Sequence, residues 1–294
     1  WPKGDVALAR AAASANIPFA QSTVSNASIA DVAAAAGLGA HWFQLYLYGE
    51  DDVWRLLLEQ ASAAGCSAVL VTVDTPVLGN REWDRRNYKS GFTPSLSSKL
   101  DMLRHPFWMW RVLRHGLPNF PNLKQFAPGP DPNLYEVARW SLENQRPQTD
   151  WATLARIRKA WSGKLLIKGA QNIEDVRHAI EAGLDGVVLS NHGGRQLDRA
   201  VAPIRLVRAA RALAPSDFAI LVDSGFRRGA EIVQALALGA DAVLLGRAML
   251  YGLAAGGEAG VSRAIDILHA EIRRTMALLG VASVAELSPE IFGA

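Results

Sequence analysis

Short apolar runs alternate with amphipathic stretches along most of the chain. Runs at residues 17–22, 42–48, 68–75, 165–169, 186–191, 219–224 and 242–247 predict seven strands, each apolar at its start and polar at its end. Runs this short, flanked by helical periodicity, are what strands buried on both faces require. The stretch 28–36 opens on Ser28 with Asp31 three positions on, a capping-box-like start. The stretch 172–182 opens on Asn172 followed by Glu174 and Asp175, which suits a helix N-terminus. Strand and helix in regular alternation predict an α/β fold with a parallel sheet. At 294 residues the expected architecture is a TIM (β/α)8 barrel forming a single domain over 1–294, with an open doubly wound sheet as the alternative.

Two irregularities change this picture. The helical stretch 5–15 has no strand before it, and a (β/α)8 barrel needs eight strands to close. An N-terminal segment and the first strand are therefore expected upstream of Trp1. The interval between residues 75 and 165 is also far longer than a βα connection needs. It predicts an inserted loop and helical segment, 95–150, between the fourth and fifth strands of the complete barrel. Within it, 99–126 places Phe107, Trp108, Trp110 and Leu113 among Arg104, Arg111, Arg114 and Lys124. Basic residues interleaved with Trp suit a peripheral membrane contact; a lid or a subunit interface are the other readings.

Composition narrows the class further. Half the residues are apolar and the formal net charge is +3, with a pI near 9.1. The basic residues are mostly scattered, so no stripe suited to nucleic acid emerges. Cys66 is the single cysteine, which excludes a disulfide within the chain, and the apolar run after it predicts a buried structural thiol. No apolar run approaches the roughly 18 residues that would span a bilayer, and the first residues do not resemble a secretory signal. The expectation is a cytoplasmic protein, peripheral at most on the inner face of the cell membrane.

The candidate chemistry sits at the strand ends. The nonapeptide SNHGGRQLD, residues 190–198, places His192 and Arg195 just past a buried strand, separated by Gly193 and Gly194. Imidazole is the usual general base near neutral pH, and guanidinium grips carboxylate or phosphate with a planar fork. Ser22, Gln44, Tyr46, Thr72, Asp74, Lys168, Ser190, Asp223 and Arg247 fall at the ends of the predicted strands. A barrel assembles its site at that mouth. Taken singly, Gln44 and Thr72 could be polar filling, Asp74 a turn former and Lys168 a cap. The last two strands end in DSGFRRG at 223–229 and in Gly246 with Arg247. Barrels often hold a phosphate there with backbone amides, and Arg227 or Arg247 could add charge. Flavin mononucleotide and a sugar phosphate both remain open on these residues alone.

SNHGGRQLD, together with WFQLYLY, TVDTPVLGNRE, LLIKG, DSGFRRG and LLGR in this order, resembles the FMN-dependent α-hydroxy acid oxidases and dehydrogenases. STVSNASI from Ser22 and DSGFRRG are similar to the branch acting on (S)-mandelate, and PFWMWRV in the insertion to that acting on L-lactate. The resemblance implies FMN as cofactor, a homotetramer, and oxidation of an (S)-2-hydroxy acid to the 2-oxo acid. It makes His192 the base, Asp74 its partner, and Arg195, Tyr46 and Arg81 the groups that contact the substrate. It sets Lys168 against the flavin ring, and Ser22, Gln44, Thr72 and Ser190 on the isoalloxazine or its chain. Asp223, Gly225, Arg227, Gly246 and Arg247 are left for ribityl and phosphate. The expected acceptor is a quinone, with oxygen as the alternative. The rivals from other classes are an FMN-barrel isomerase and a non-catalytic membrane-associated scaffold. The His192 and Arg195 pair argues against the isomerase, whose substrate has no carboxylate.

Overall fold

The structure is a computed structural model that describes residues 1–82, 87, 94–146 and 149–292. Seven parallel strands pair in chain order: β1 (Phe19–Ser22), β2 (His41–Leu45), β3 (Ala68–Thr72), β4 (Lys164–Ala170), β5 (Gly186–Leu189), β6 (Ala219–Val222) and β7 (Ala242–Val243). Strand order equal to chain order is the barrel pattern; a doubly wound sheet would reverse direction partway. Among the described residues the sheet is thus a (β/α)8-type barrel of seven strands, with β1 and β7 at its edges.

Period two sorts the side chains. Leu70, Leu166, Val188 and Leu221 meet Trp42, Ala219, Ala242 and Leu244 in one cluster on the inner face. The alternate residues, Val69, Val71, Leu165, Ile167, Val187, Leu189, Ile220 and Val222, join the outer core under the helices. That layer comprises α1 (Gly4–Ser14), α2 (Ile29–Ala36), α3 (Asp51–Ala63) and, after the long interval, α8 (Trp151–Ala160), α9 (Ile173–Glu181), α10 (Val207–Leu213), α11 (Gly229–Ala237) and α12 (Arg247–Leu279). α1 packs against both α2 and α12, so the helical layer is continuous where the sheet has its edges. Ser28 caps α2 by accepting from Asp31 N, and Asn172 caps α9 by accepting from Asp175 N, as predicted.

Several strands are shorter at their C-terminal ends than predicted. β7 covers only two residues, and Arg247, predicted to end it, is the first residue of α12. The ladder stops because the chains separate at the mouth, keeping single bonds such as Asp223 N to Leu189 O at 3.0 Å and Leu244 N to Val222 O at 2.9 Å.

The long interval carries α4 (Leu96–Leu103), α5 (Pro106–Leu113), α6 (Pro121–Lys124) and α7 (Leu134–Glu143). Positions 147 and 148 of the predicted 95–150 segment lie outside the described residues. Its two halves behave differently. No residue of α4 or α5 is buried. From residue 119 onward the segment is docked: Leu123 is fully buried, and Asn122 accepts from Ile29 N at 3.0 Å and donates to Thr23 O at 3.3 Å. The predicted 99–126 contact segment therefore shortens, because 120–126 belongs to the body.

The end opposite the site is tied by Asp185. Its carboxylate accepts from Leu165 N at 2.9 Å, Arg158 Nη1 at 2.7 Å and Lys164 Nζ at 2.9 Å. Burial pushes its pKa up, but the bonds and charge of Lys164, Leu165 N and Arg158 outweigh this and hold it below the ordinary value. A folded-state pKa below that of the unfolded chain gives a stabilisation that is complete above about pH 4 and lost as pH falls through the depressed value. Asp185→Asn should cost about 1–3 kcal/mol at neutral pH. In urea titrations run at decreasing pH the deficit should shrink toward zero below that range.

Candidate active site

The polar residues at the mouth continue the inner-face alternation one step above the apolar cluster. Gln44, Thr72, Lys168 and Ser190 follow Trp42, Leu70, Leu166 and Val188 at spacing two. Groups in that position have little water to bond and must pair with one another. Gln44 Nε2 donates to Thr72 Oγ1 at 2.7 Å while Ser22 Oγ donates to Gln44 Oε1 at 3.1 Å. Lys168 Nζ lies 3.0 Å from Asp223 Oδ2 and donates to Ser190 Oγ at 3.2 Å. All six sit within one ring of strand ends.

Above this ring stands the imidazole of His192. Its Nδ1 lies 3.2 and 3.3 Å from the two oxygens of Asp74, whose side chain is only 1% exposed. Nδ1–H facing a carboxylate leaves the Nε2 lone pair available to accept a proton. Nε2 is 3.4 Å from the Tyr46 hydroxyl. Burial, then the charge of Asp74, raise the Tyr46 pKa to about 12 against the opposing pull of Arg81 and Arg195, so the phenol stays neutral and can donate. The charges of both arginines are therefore felt at this phenol. Arg81 Nη2 donates to Gln196 Oε1 at 3.0 Å, and Arg195 is on the exposed rim.

The backbone around the base is unusual and well supported. His192 has φ +57°, a left-handed conformation that few residues other than glycine adopt readily. Its N–H bonds Ser190 Oγ at 3.1 Å. Ser224, itself at φ +78°, accepts from Asn191 N at 3.3 Å and Gly193 N at 2.9 Å and donates to Asp223 Oδ1 at 2.6 Å. Sequence reasoning missed Ser224, because its partners are backbone amides over thirty positions away. It missed Gly169 likewise: β4 bulges between Lys168 and Ala170, and a Cβ at Gly169 would stand 2.6 Å from Asp74 Cβ. Only glycine lets Asp74 lie where it reaches the imidazole.

On the β6–β7 side, Gly225 and Gly246 border open space in which an added Cβ would meet nothing within 4 Å. α12 begins there with no side-chain cap, so its first amides and dipole favour an anion. Arg247 lies alongside, donating to Gly193 O at 2.8 Å. Arg227 is exposed on the loop after β6, and its backbone N bonds Glu231 at 2.6 Å. The chemistry of these donors suits an anion such as a phosphate beside Gly225, Gly246 and Arg247, and Ser22, Gln44, Thr72 and Lys168 offer hydrogen-bonding groups to a polar ring system. Cys66 lies far from this chemistry: it is buried, its Sγ is 3.4 Å from His41 Nδ1, and burial pushes its thiol to about 12.

Comparison with known proteins points the same way. Residues 1–294 match the FMN-dependent dehydrogenase family. The chain is 44% identical over 291 residues to (S)-mandelate dehydrogenase of Pseudomonas putida, covering 99% of this chain and 72% of that protein. It is 42% identical over 289 residues to L-lactate dehydrogenase of Chromohalobacter salexigens, covering 98% and 73%. Among solved structures, the monotopic membrane protein (S)-mandelate dehydrogenase superposes with a TM-score of 0.93 at 43% identity, covering 99% of this chain and 76% of that one.

If Gly169 makes room for Asp74, Gly169→Ala should lower stability by about 1–3 kcal/mol in urea titration through overpacking. It should also move the His192 imidazole resonances in NMR spectra. Unchanged resonances would show that Asp74 is held by something else.

Proposed function

The chain belongs to the FMN-dependent dehydrogenase family, and from that premise we propose that it oxidises an (S)-2-hydroxy acid, mandelate-like, to the 2-oxo acid and passes the electrons to a quinone-type acceptor. The observation that carries the reading is His192 Nε2, backed by Asp74 and facing the neutral Tyr46 hydroxyl, with the charges of Arg81 and Arg195 felt at that phenol. A 2-hydroxy acid offers a carboxylate for the guanidinium groups and an acidic proton for the imidazole, a few bonds apart.

In this reading Ser22, Gln44, Thr72, Lys168 and Ser190 hold the flavin ring and its chain, and Asp223, Gly225, Arg227, Gly246 and Arg247 hold the ribityl phosphate. Bound FMN supplies the two-electron acceptor. Arg195 and Arg81 fix the substrate carboxylate, and Tyr46 donates to the carboxylate or hydroxyl. His192 takes one proton at Nε2, and Asp74, already at Nδ1, stabilises the imidazolium that forms. Lys168 brings a positive charge to the ring, which favours its reduction. L-lactate as substrate is the second reading, favoured by the similarity to L-lactate dehydrogenases, and oxygen as acceptor is favoured by the likeness to mandelate oxidase.

Anaerobic addition of (S)-mandelate to the FMN-loaded protein should bleach the flavin, with kcat/KM above that for L-lactate. Absence of bleaching with every 2-hydroxy acid would sink the proposal. Readmission of a quinone should restore the colour faster than oxygen does. His192→Ala should retain FMN and lose about 10²–10⁴-fold in turnover.

The acceptor reading is supported by α4 and α5. Among the described residues no helix is long and apolar enough to cross a membrane, yet Leu103, Phe107, Trp108, Trp110 and Leu113 are all exposed on this pair. Arg114 lies 4.3 Å over Trp110, and Arg111 lies 4.3 Å over Trp1 and 4.9 Å over Phe107. Cations stacked on exposed aromatic rings suit an anionic lipid interface. The protein is expected to cosediment with anionic vesicles, less so in high salt. Deleting 99–118 should abolish this, and binding that survives the deletion would exclude these helices as the contact.

A further inference from the structure

The base and the arginines of the proposed site lie on two loops, residues 73–81 after β3 and 190–198 after β5. Gln196 joins them. Its Nε2 donates to Asp74 O at 3.3 Å and Val77 O at 2.9 Å. Its Oε1 accepts from Gly79 N at 3.3 Å and Arg81 Nη2 at 3.0 Å. Both donors and both lone pairs of the amide are thus used. Rotating the amide by half a turn would set NH2 against two donors and oxygen against two carbonyls, so the orientation is determined by the network. The loops also touch backbone to backbone here, since a Cβ at Gly79 would stand 2.3 Å from Arg195 O and 2.8 Å from Gln196 Cα. Arg81 Nε reaches Arg195 O at 3.5 Å across the same seam.

We propose that Gln196 is a positioning residue: by clasping the β3 loop to the β5 loop it fixes Asp74 under His192 and aims Arg81 beside Arg195. The inference rests on the roles proposed above for those four residues. His192 and Arg195 lie on the β5 loop while Asp74 and Arg81 lie on the β3 loop, so a change in loop spacing draws Asp74 away from the imidazole and Arg81 away from Arg195. Misplacement on the scale of 1 Å costs about 10²-fold in rate.

Two variants separate the two edges of the amide. Gln196→Met keeps length and removes all four bonds; it should retain FMN, raise KM, lower kcat, and reduce kcat/KM by about 10²-fold. Gln196→Glu keeps an acceptor for Gly79 N and Arg81 but sets oxygen against Asp74 O and Val77 O. It should therefore leave KM near the wild-type value while kcat falls. A residue serving only general stability would not produce this split. Hydrogen exchange supplies a readout independent of turnover: in Gln196→Met the Gly79 amide should exchange about tenfold faster, the loss of one net hydrogen bond, with Val69 to Val71 unchanged.

Unaltered kcat/KM in Gln196→Met, or unaltered exchange at Gly79, overturns the proposal. If Gln196→Met does not fold, Gln196→Glu decides alone, and unchanged kcat overturns it. A wild-type protein whose flavin no 2-hydroxy acid reduces overturns the proposed function instead, and Gly79 exchange then decides the clasp.

Discussion

A side chain pointing into a curled parallel sheet has almost no water to bond, and this constraint governs the molecule from the barrel floor to its mouth. Below, the answer is apolar filling: Leu70, Leu166, Val188 and Leu221 close the interior. Two residues further along each strand, on the same face, polar groups are admitted only in mutual partnership. Gln44 with Thr72 and Lys168 with Asp223 are such pairs. The site is the place where the filled core stops, and its donors and charges are already oriented because nothing else there could satisfy them. Electrostatic preorganisation here is a by-product of burial.

The same constraint explains what was legible in the sequence. Seven apolar runs marked all seven strands, since residues buried on both faces leave no room for polar alternation, and the polar residue ending each run marked the mouth. His192, Asp74, Lys168 and Tyr46 were found as strand-end chemistry, and the structure brings them together. What escaped was anything whose partner is a backbone atom distant in sequence. Gly169 matters because Asp74 Cβ would strike a side chain there. Ser224 matters through two amides of the β5 loop. Gln196 stands inside the most informative motif, yet its amide bonds four groups on a loop over a hundred positions away. Period and composition carry no trace of such contacts.

The strand limits and the inserted segment failed for a related reason. Residues 244–247 are apolar or follow an apolar run, so they continue the pattern of β7, but Gly246 turns the chain and α12 begins at Arg247. In the insertion, aromatic and basic residues form one continuous stretch in sequence and two environments in space. Leu123 and Asn122 enter the body because Asn122 can serve both Ile29 N and Thr23 O. Phe107, Trp108 and Trp110 of α5 stay exposed.

Charge at the mouth shows how the pieces act together. Lys168, Arg81, Arg195 and Arg247 bring four cations, against the carboxylates of Asp74 and Asp223. Both carboxylates are committed, one to the imidazole and one to the ammonium, and the raised pKa of Tyr46 keeps its phenol from adding a third negative charge. Among the described residues these cations outnumber the two carboxylates, with Arg247 at the start of α12 reaching Gly193 and Arg81 on the loop that carries Asp74. In the function proposed above, the mouth receives two anions, a phosphate and a carboxylate.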